Sequence, residues 1–310
     1  NTTGSFNSAF GQYALQANID GNYNQAIGTQ SLYFNSSGSN NTGCGMRALF
    51  SNTTGISNTA TGYYACYSNT TANWNTATGL SCLYSNATGN NNTASGYSAL
   101  FSTTGGNNTA FGQSAGSTNT TGTDNTYIGN WANCNAGTYS NSSAIGAGSQ
   151  VSASDQIRVG NASVSSIGGQ VGWTTVSDKR IKENVQNNVP GLIFINALKP
   201  VTYNYNIQKQ YEILGVSNYS SNNNNEEISK MQFSGFLAQD VDSLARQIGY
   251  NFSGVDKSGA LWGLRYSEFV VPLVKAVQEQ QIIIESLKTQ LNILNYKFQN
   301  LETMQRSKQN

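Results

Sequence analysis

Glycines recur at a fixed interval through the first half of the chain. Gly11, Gly28, Gly45, Gly62, Gly79 and Gly96 stand 17 residues apart, one step of 16 leads to Gly112, and steps of 17 lead to Gly129 and Gly146. Around each glycine the unit reads roughly Asn-Thr-Ala-x-Gly-x-x-Ala-Leu-x-Ser-Asn-Thr-Thr-Gly. Two positions before the glycine stands Ala in most units (Ala9, Ala26, Ala60, Ala77, Ala94, Ala110, Ala144), three after is small, and four after is often Leu (Leu15, Leu32, Leu49, Leu83, Leu100). A second glycine recurs at Gly4, Gly21, Gly38, Gly55, Gly89 and Gly122. Helical repeats need units of about 33 residues or more. A shorter unit suits one coil of a β-solenoid, with two short strands and two turns whose glycines supply positive φ. The expected cross-section has Ala and Leu inside, with Asn and Thr outside in ladders running from coil to coil. One coil cannot bury its apolar face alone, so neighbouring coils, and on this reading other chains, must stabilise it.

The array resembles the repeat heads of trimeric adhesins and the shafts of viral fibres. That resemblance implies an all-β repeat array, built as a β-solenoid, a β-roll or a triple-stranded β-prism, in a homotrimer. It also makes a host-surface glycan or receptor a partner to expect.

Charge is nearly absent from this region: up to residue 150 only Asp20, Arg47 and Asp124 are charged, and no Lys or Glu precedes Lys179. Polar, charge-poor segments can be disordered, but the strict period argues for order. Net charge of +1 points to no polyanion and no membrane surface, so neither nucleic acid nor membrane insertion is expected. No run of 18 apolar residues is present. The chain begins at Asn1 and reads as a fragment. Histidine is absent, which removes His-based metal sites and every Ser-His or Cys-His pairing. Cys44, Cys66, Cys82 and Cys134 fit no zinc spacing and read as small buried hydrophobes rather than a disulfide framework. No metal or cofactor is expected. Asp20 and Asp124 stand six repeats apart, too far for a glycosidase carboxylate pair.

Two features of the array have competing readings. Asn35, Asn52, Asn69 and Asn86 match the glycosylation sequon, each ten residues before a glycine; an Asn ladder that matches by accident is the preferred reading. Tyr13, Tyr33, Tyr63, Tyr64, Tyr67, Trp74, Tyr84 and Tyr97 read as packing between coils or chains, with stacking platforms for glycan rings as the alternative.

Beyond the array the mixture of charges becomes ordinary, which marks a boundary. We divide the chain into the array at 1–150, a neck of a few strands and a junction at 151–177, and a small α+β domain at 178–310. Val201–Ile207 and Phe233–Leu237 read as strands, Gln239–Ile248 as a helix, Asp256–Gly259 as a hairpin turn, and Ser217–Lys230 as a loop or disordered insertion. Leu273, Val277, Gln280, Ile284, Leu287, Leu291, Leu294, Phe298 and Leu301 alternate in steps of 4 and 3. This is a heptad seam over about 270–303 and predicts a coiled coil.

Four blocks in order, Ser177–Asn184, Leu198–Tyr203, Gly235–Val241 and Tyr266–Glu279, resemble the C-terminal intramolecular chaperone domain of phage tail spikes and fibres, the endosialidase-type auto-processing peptidase. A related domain occurs in the myelin regulatory factor, but the scarcity of Lys and Arg before residue 170 leaves no electrostatic footprint for DNA. The resemblance implies a trimerising chaperone that folds the upstream β-structure and is released by autoproteolysis, in a virion or at a cell surface. It maps Ser177 to the nucleophile and Lys182 to its base, with the cut between Ser177 and Asp178; an acyl shift at Val176 is the alternative route.

A serine hydroxyl needs a base, and without histidine lysine is the available type. An ordinary lysine titrates near 10.4, and burial or neighbouring cations lower that value. Lys179 and Arg180 are expected to supply charge and a trimer to supply desolvation, so the cut would follow assembly. Five residues on one helix lie about 140° apart. Either the segment is not helical there or the lysine comes from another chain. The competing hypothesis is a trimeric surface adhesin whose C-terminal domain does not cleave.

Overall fold

A computed structural model describes residues 2–215 and 223–309. The repeat array is a β-solenoid. Its strands are β1 (Ser8–Phe10), β2 (Gln25–Ile27), β3 (Thr42–Cys44), β4 (Thr59–Thr61), β5 (Thr76–Thr78), β6 (Thr93–Ser95), β7 (Thr109–Phe111), β8 (Thr126–Ile128), β9 (Asn133–Cys134), β10 (Ser143–Ile145), β11 (Gln150–Val151) and β12 (Ile157–Val159). All but β9 and β11 form one ten-stranded parallel sheet in sequence order, in register coil to coil, as in Ala60↔Ala77 and Ala77↔Ala94. In β2–β8 and β10 the middle residue points inward, and Ala26, Ala60, Ala77, Ala94, Ala110 and Ala144 are fully buried.

Most coils have one strand, where two were expected. The opposite wall is made of turns that still bond from coil to coil: Leu32 N donates to Ala48 O at 2.9 Å and Leu49 N to Ala65 O at 2.9 Å. The Leu column lies at positive φ (Leu32 50°, Leu49 53°, Leu83 52°, Leu100 49°), a conformation that strands do not contain and L-residues avoid. Stacking holds it there. The glycine column is obligatory for a second reason. At Gly62, with φ of 137°, an added Cβ would stand 2.5 Å from the Gly79 carbonyl oxygen of the next coil.

The asparagines are inside, which corrects their expected outward placement. One column is Asn24, Asn41, Asn58, Asn75, Asn92, Asn108 and Asn125, all buried. Each clamps the following coil: Asn58 Oδ1 accepts from Asn75 N at 3.0 Å while Asn58 Nδ2 donates to Ala72 O at 2.7 Å. The second column contains the four sequon residues. Asn35, Asn52 and Asn69 each donate to the asparagine one coil before, at 2.9, 2.7 and 2.6 Å. An amide can be buried because two donors and an acceptor all find partners along the stack. Asn35, Asn52 and Asn69 are therefore ladder rungs. The column is interrupted at Asn86, which bonds Gly89 both ways and leaves the buried Asn69 Oδ1 without a partner. In the following coil Thr103-Thr104-Gly105 replaces the Asn-x-x-Gly turn with one residue fewer, which accounts for the 16-residue step.

Aromatic side chains form a third column. Tyr33, Phe50, Tyr67, Tyr84 and Phe101 stack in succession with centroids 5.0–5.3 Å apart. Their faces cover one another, so the packing reading holds for these rings. One core exchange preserves volume: Tyr127 replaces the inward Ala, and Gly116 replaces the Leu beside it. A Cβ on Gly116 would meet the Tyr127 ring at 2.6 Å.

After the solenoid come α1 (Leu192–Ile195), β13 (Val201–Tyr203), α2 (Ile207–Ile213), α3 (Asn223–Lys230), β14 (Phe233–Gly235), α4 (Ala238–Gln247), β15 (Val255–Asp256), β16 (Gly263–Leu264) and α5 (Val270–Gln309). The chain divides into two compact units. The first is Asn1–Ile167 with Tyr205–Met231 and Ser258–Leu261; the second is Gly168–Asn204, Gln232–Lys257 and Trp262–Asn310.

In the first unit, α2 and α3 bury Ile207 and Ile228, and Ser163 Oγ donates to Asn225 Oδ1. Two expectations change here. The strand expected over Val201–Ile207 stops at Tyr203, because Asn206 caps α2 by accepting from Lys209 N at 2.8 Å. Of the loop expected over Ser217–Lys230, residues 223–230 are helical and 217–222 lie outside the described residues.

In the second unit, β13 pairs antiparallel with β14 and β15 with β16. Its core is Phe194, Val241, Ala245, Phe252 and Phe269, with Phe252 centred 5.0 Å from Phe194 and 4.8 Å from Phe269. The start of α5 packs on α1, where Glu279 Oε2 accepts from Leu192 N at 2.8 Å and so caps that short helix. From residue 281 to 306 the helix is exposed on every side.

Candidate functional site

Residues 161–178 contain no helix or strand, so the strands expected around Ile167–Val176 do not form. Their apolar side chains have nothing to pack on: Val171, Trp173 and Val176 are exposed, Trp173 at 94%. Regular structure resumes after Asp178. Its carboxylate caps a 3₁₀ turn, Lys179–Ile181, by accepting from Arg180 N at 2.9 Å. The Arg180 guanidinium closes on the same carboxylate, Nη2 to Oδ2 at 2.6 Å. These side-chain and backbone hydrogen bonds from Arg180 hold the Asp178 carboxyl below its usual range.

The turn folds the chain back. Lys182 leaves it extended, and its Nζ donates to Ser177 Oγ at 2.6 Å. The five-residue spacing is thus bridged within one chain by a tight turn and not by an α-helix. Arg180, expected to press its charge on the lysine, is matched by Asp178 instead. Ser177 and Lys182 are both exposed.

The other candidates are not gathered into a site. Asp124 accepts from Asn107 Nδ2 at 3.1 Å, and Asp20 lies six coils away. The cysteines are free thiols; Cys66, Cys82 and Cys134 are buried and Cys44 is half-buried. Burial pushes the Cys66 thiol up, and the Cys82 thiol to about 12, so both act as apolar filling. Among the described residues no helix is long and apolar enough to cross a membrane. Sequence reasoning missed one positioning group at the pair, the Asp178 cap, and, away from it, the Glu279 cap of α1. The Asp-x-Arg spacing and the position of Glu279 at the end of the fourth block were the available signals.

The chain thus combines a charge-poor parallel β-solenoid with a small α+β region that contains a Ser–Lys contact. Residues 177–250 match the model of the S74 peptidase family, described as the chaperone of endosialidase. Residues 177–250 therefore carry a chaperone-of-endosialidase domain, an intramolecular chaperone that follows the β-solenoid in sequence. The match opens on Ser177 and takes in three of the four sequence blocks; Tyr266–Glu279 lies beyond it. No curated protein and no solved structure matches the chain.

Proposed function

We propose that the chain is a virion tail-fibre or tail-spike protein that attaches to a host-surface glycan or receptor through its solenoid. In this reading the C-terminal domain gathers three copies, templates the solenoid and is released by a single self-cleavage beside Ser177. It is a single-turnover Ser–Lys endopeptidase acting only on its own chain. The observation that carries this is the 2.6 Å contact between Lys182 Nζ and Ser177 Oγ at the first residue of the family match.

Assembly is supported by α5. Leu273, Val277, Ile284, Leu287, Leu291, Leu294, Phe298 and Leu301 are all at least 40% exposed along one heptad seam. Exposed apolar area costs roughly 25 cal/mol per Å², so such a helix gains by pairing with copies of itself. Assembly also gives a reason for timing. A solvated amine is a poor base at neutral pH, and closure of partner copies over the junction would desolvate it. Val176 and Ile181, exposed and adjacent in sequence to Ser177 and Lys182, are the kind of side chains such a closure would cover. Once the domain leaves, the template for refolding is gone and the shaft persists kinetically.

The test is expression of the parent, Ser177→Ala and Lys182→Ala chains. The parent should run as two fragments and both variants as one. Two fragments from both variants would refute the dyad, and an uncleaved parent in a normal trimer would favour the adhesin reading. The first residue of the released fragment identifies the route. Asp178 means the Ser177–Asp178 bond is cut. Ser177 means its hydroxyl took the Val176 acyl group from the amide nitrogen and water opened the ester.

A further inference from the structure

Arg47 is the only cation among residues 1–157. It is half-buried and held from both sides along the solenoid. Its Nε donates to Gln30 Oε1 of the preceding coil at 2.7 Å, and its Nη1 donates to Tyr64 Oη of the following coil at 2.9 Å. The guanidinium carbon stands 5.5 Å from the centre of the Phe50 ring and 5.7 Å from that of Tyr64. A guanidinium has five N–H donors, and these bonds use two. No carboxylate among the described residues pairs with it. The result is an oriented cation with open donors on a surface whose other charges up to residue 150 are Asp20 and Asp124, and its orientation is already fixed before anything binds.

What lies beside it narrows the ligand. Because the stacked column covers its own ring faces, those rings are closed to a sugar. The neighbouring column, Met46, Tyr63, Leu80 and Tyr97, is exposed, at 40–54%. The Tyr63 ring lies 4.1 Å from that of Tyr64, directly next to the arginine cluster. Coils repeat at about 4.8 Å, close to the width of one pyranose ring. A pyranose chain presents apolar C–H faces to such a column and hydroxyls to the amide and hydroxyl groups around it.

We propose that Arg47 reads the acidic group of a carboxylate- or sulfate-bearing glycan, whose ring rests on Tyr63. The proposal builds on the attachment role given above to the solenoid and does not involve the cleavage chemistry. The test is binding of the full-length protein to trigalacturonate, to a sulfated galactose trisaccharide, to neutral galactotriose and to hexaglutamate, each at 50 and 500 mM salt. At least one acidic saccharide should bind better than the neutral one and lose affinity in high salt. Arg47→Gln should weaken it tenfold or more with the melting temperature unchanged, and Tyr63→Ala severalfold. The carboxylate and sulfate arms tell which acid is read. If a saccharide binds the parent and Arg47→Gln equally, attachment stands and this site falls. If no saccharide binds, glycan attachment falls with it. Hexaglutamate bound as tightly as the saccharides would make this a peptide site and overturn the proposal.

Discussion

The solenoid and the C-terminal unit solve the same problem by opposite means. The solenoid has a core that is half polar, with Ala and Leu columns beside two columns of buried asparagine. Every coil repeats the same few contacts with its two neighbours, so stability is spread evenly along the stack. The C-terminal unit has one cluster, centred on Phe194, Phe252 and Phe269, and a buried carboxylate, Asp242, paired with Lys257 at 2.8 Å and Arg246 at 2.9 Å. Its stability is concentrated and its contacts are not repeated. The difference also bears on folding. A first coil alone holds several residues at positive φ and has no neighbour to bond its amides or cover its apolar face, so starting the stack is costly while extending it is favourable. A separate domain that folds by ordinary collapse is suited to supply the start.

The largest effect should come from the concentrated side. Phe194 is fully buried and touches Tyr250, Phe252 and Phe269. Phe194→Ala should cost about 3–5 kcal/mol. Much of a small unit's stability is of that order, so helical circular dichroism should melt early while the sheet signal of the solenoid persists. A joint loss of both signals would mean that stability is shared after all.

On the distributed side, Asn58→Ala removes the acceptor of Asn75 N and the donor to Ala72 O. Ala72 O keeps the bond from Asn69 Nδ2 at 3.1 Å, whereas the buried Asn75 N–H loses its partner, at about 1–3 kcal/mol before relaxation. The loss should stay local. Amide exchange should accelerate in the coils around Thr59 and Thr76 and remain slow near Thr126. Uniform acceleration would show the stack melting as one unit.

The sequence made the solenoid legible because its period is a property of spacing alone. Which side chains enter the core was less legible. Inward placement of Ala60 and Leu49 follows from apolarity, whereas Asn58 and Asn52 are polar and were placed outside. Their burial depends on partners one coil away, and only the stacked register creates those partners. The aromatic column was legible in part: Tyr33, Tyr67 and Tyr84 read as packing between coils, whereas Phe50 and Phe101 share the period but are of another residue type and were not joined to them. In the C-terminal unit, β13, β14 and α4 follow from local pattern. The position of Lys182 against Ser177 does not, because a turn capped by Asp178 sets it. No periodicity encodes such a turn.

The smallest effect tests backbone strain. Apart from Asn184, every residue other than glycine with positive φ among the described residues lies in the solenoid. Ser98 has φ of 52°, and its N–H donates to Leu80 O at 2.9 Å. An L-residue in this region gives up roughly 1–2 kcal/mol that glycine does not. Glycine in turn loses about 0.5–1 kcal/mol through the greater freedom of the unfolded chain. Ser98→Gly keeps the coil-to-coil hydrogen bond and should stabilise the solenoid by about 0.5 kcal/mol. The chain itself places Gly148 in the same column at φ of 65°. A matching gain from Ser81→Gly, at φ of 53°, would show that strain is carried coil by coil. A loss at both positions would mean that the serine side chains contribute more than the strain costs, and that the turns are held by their side chains as well as by stacking.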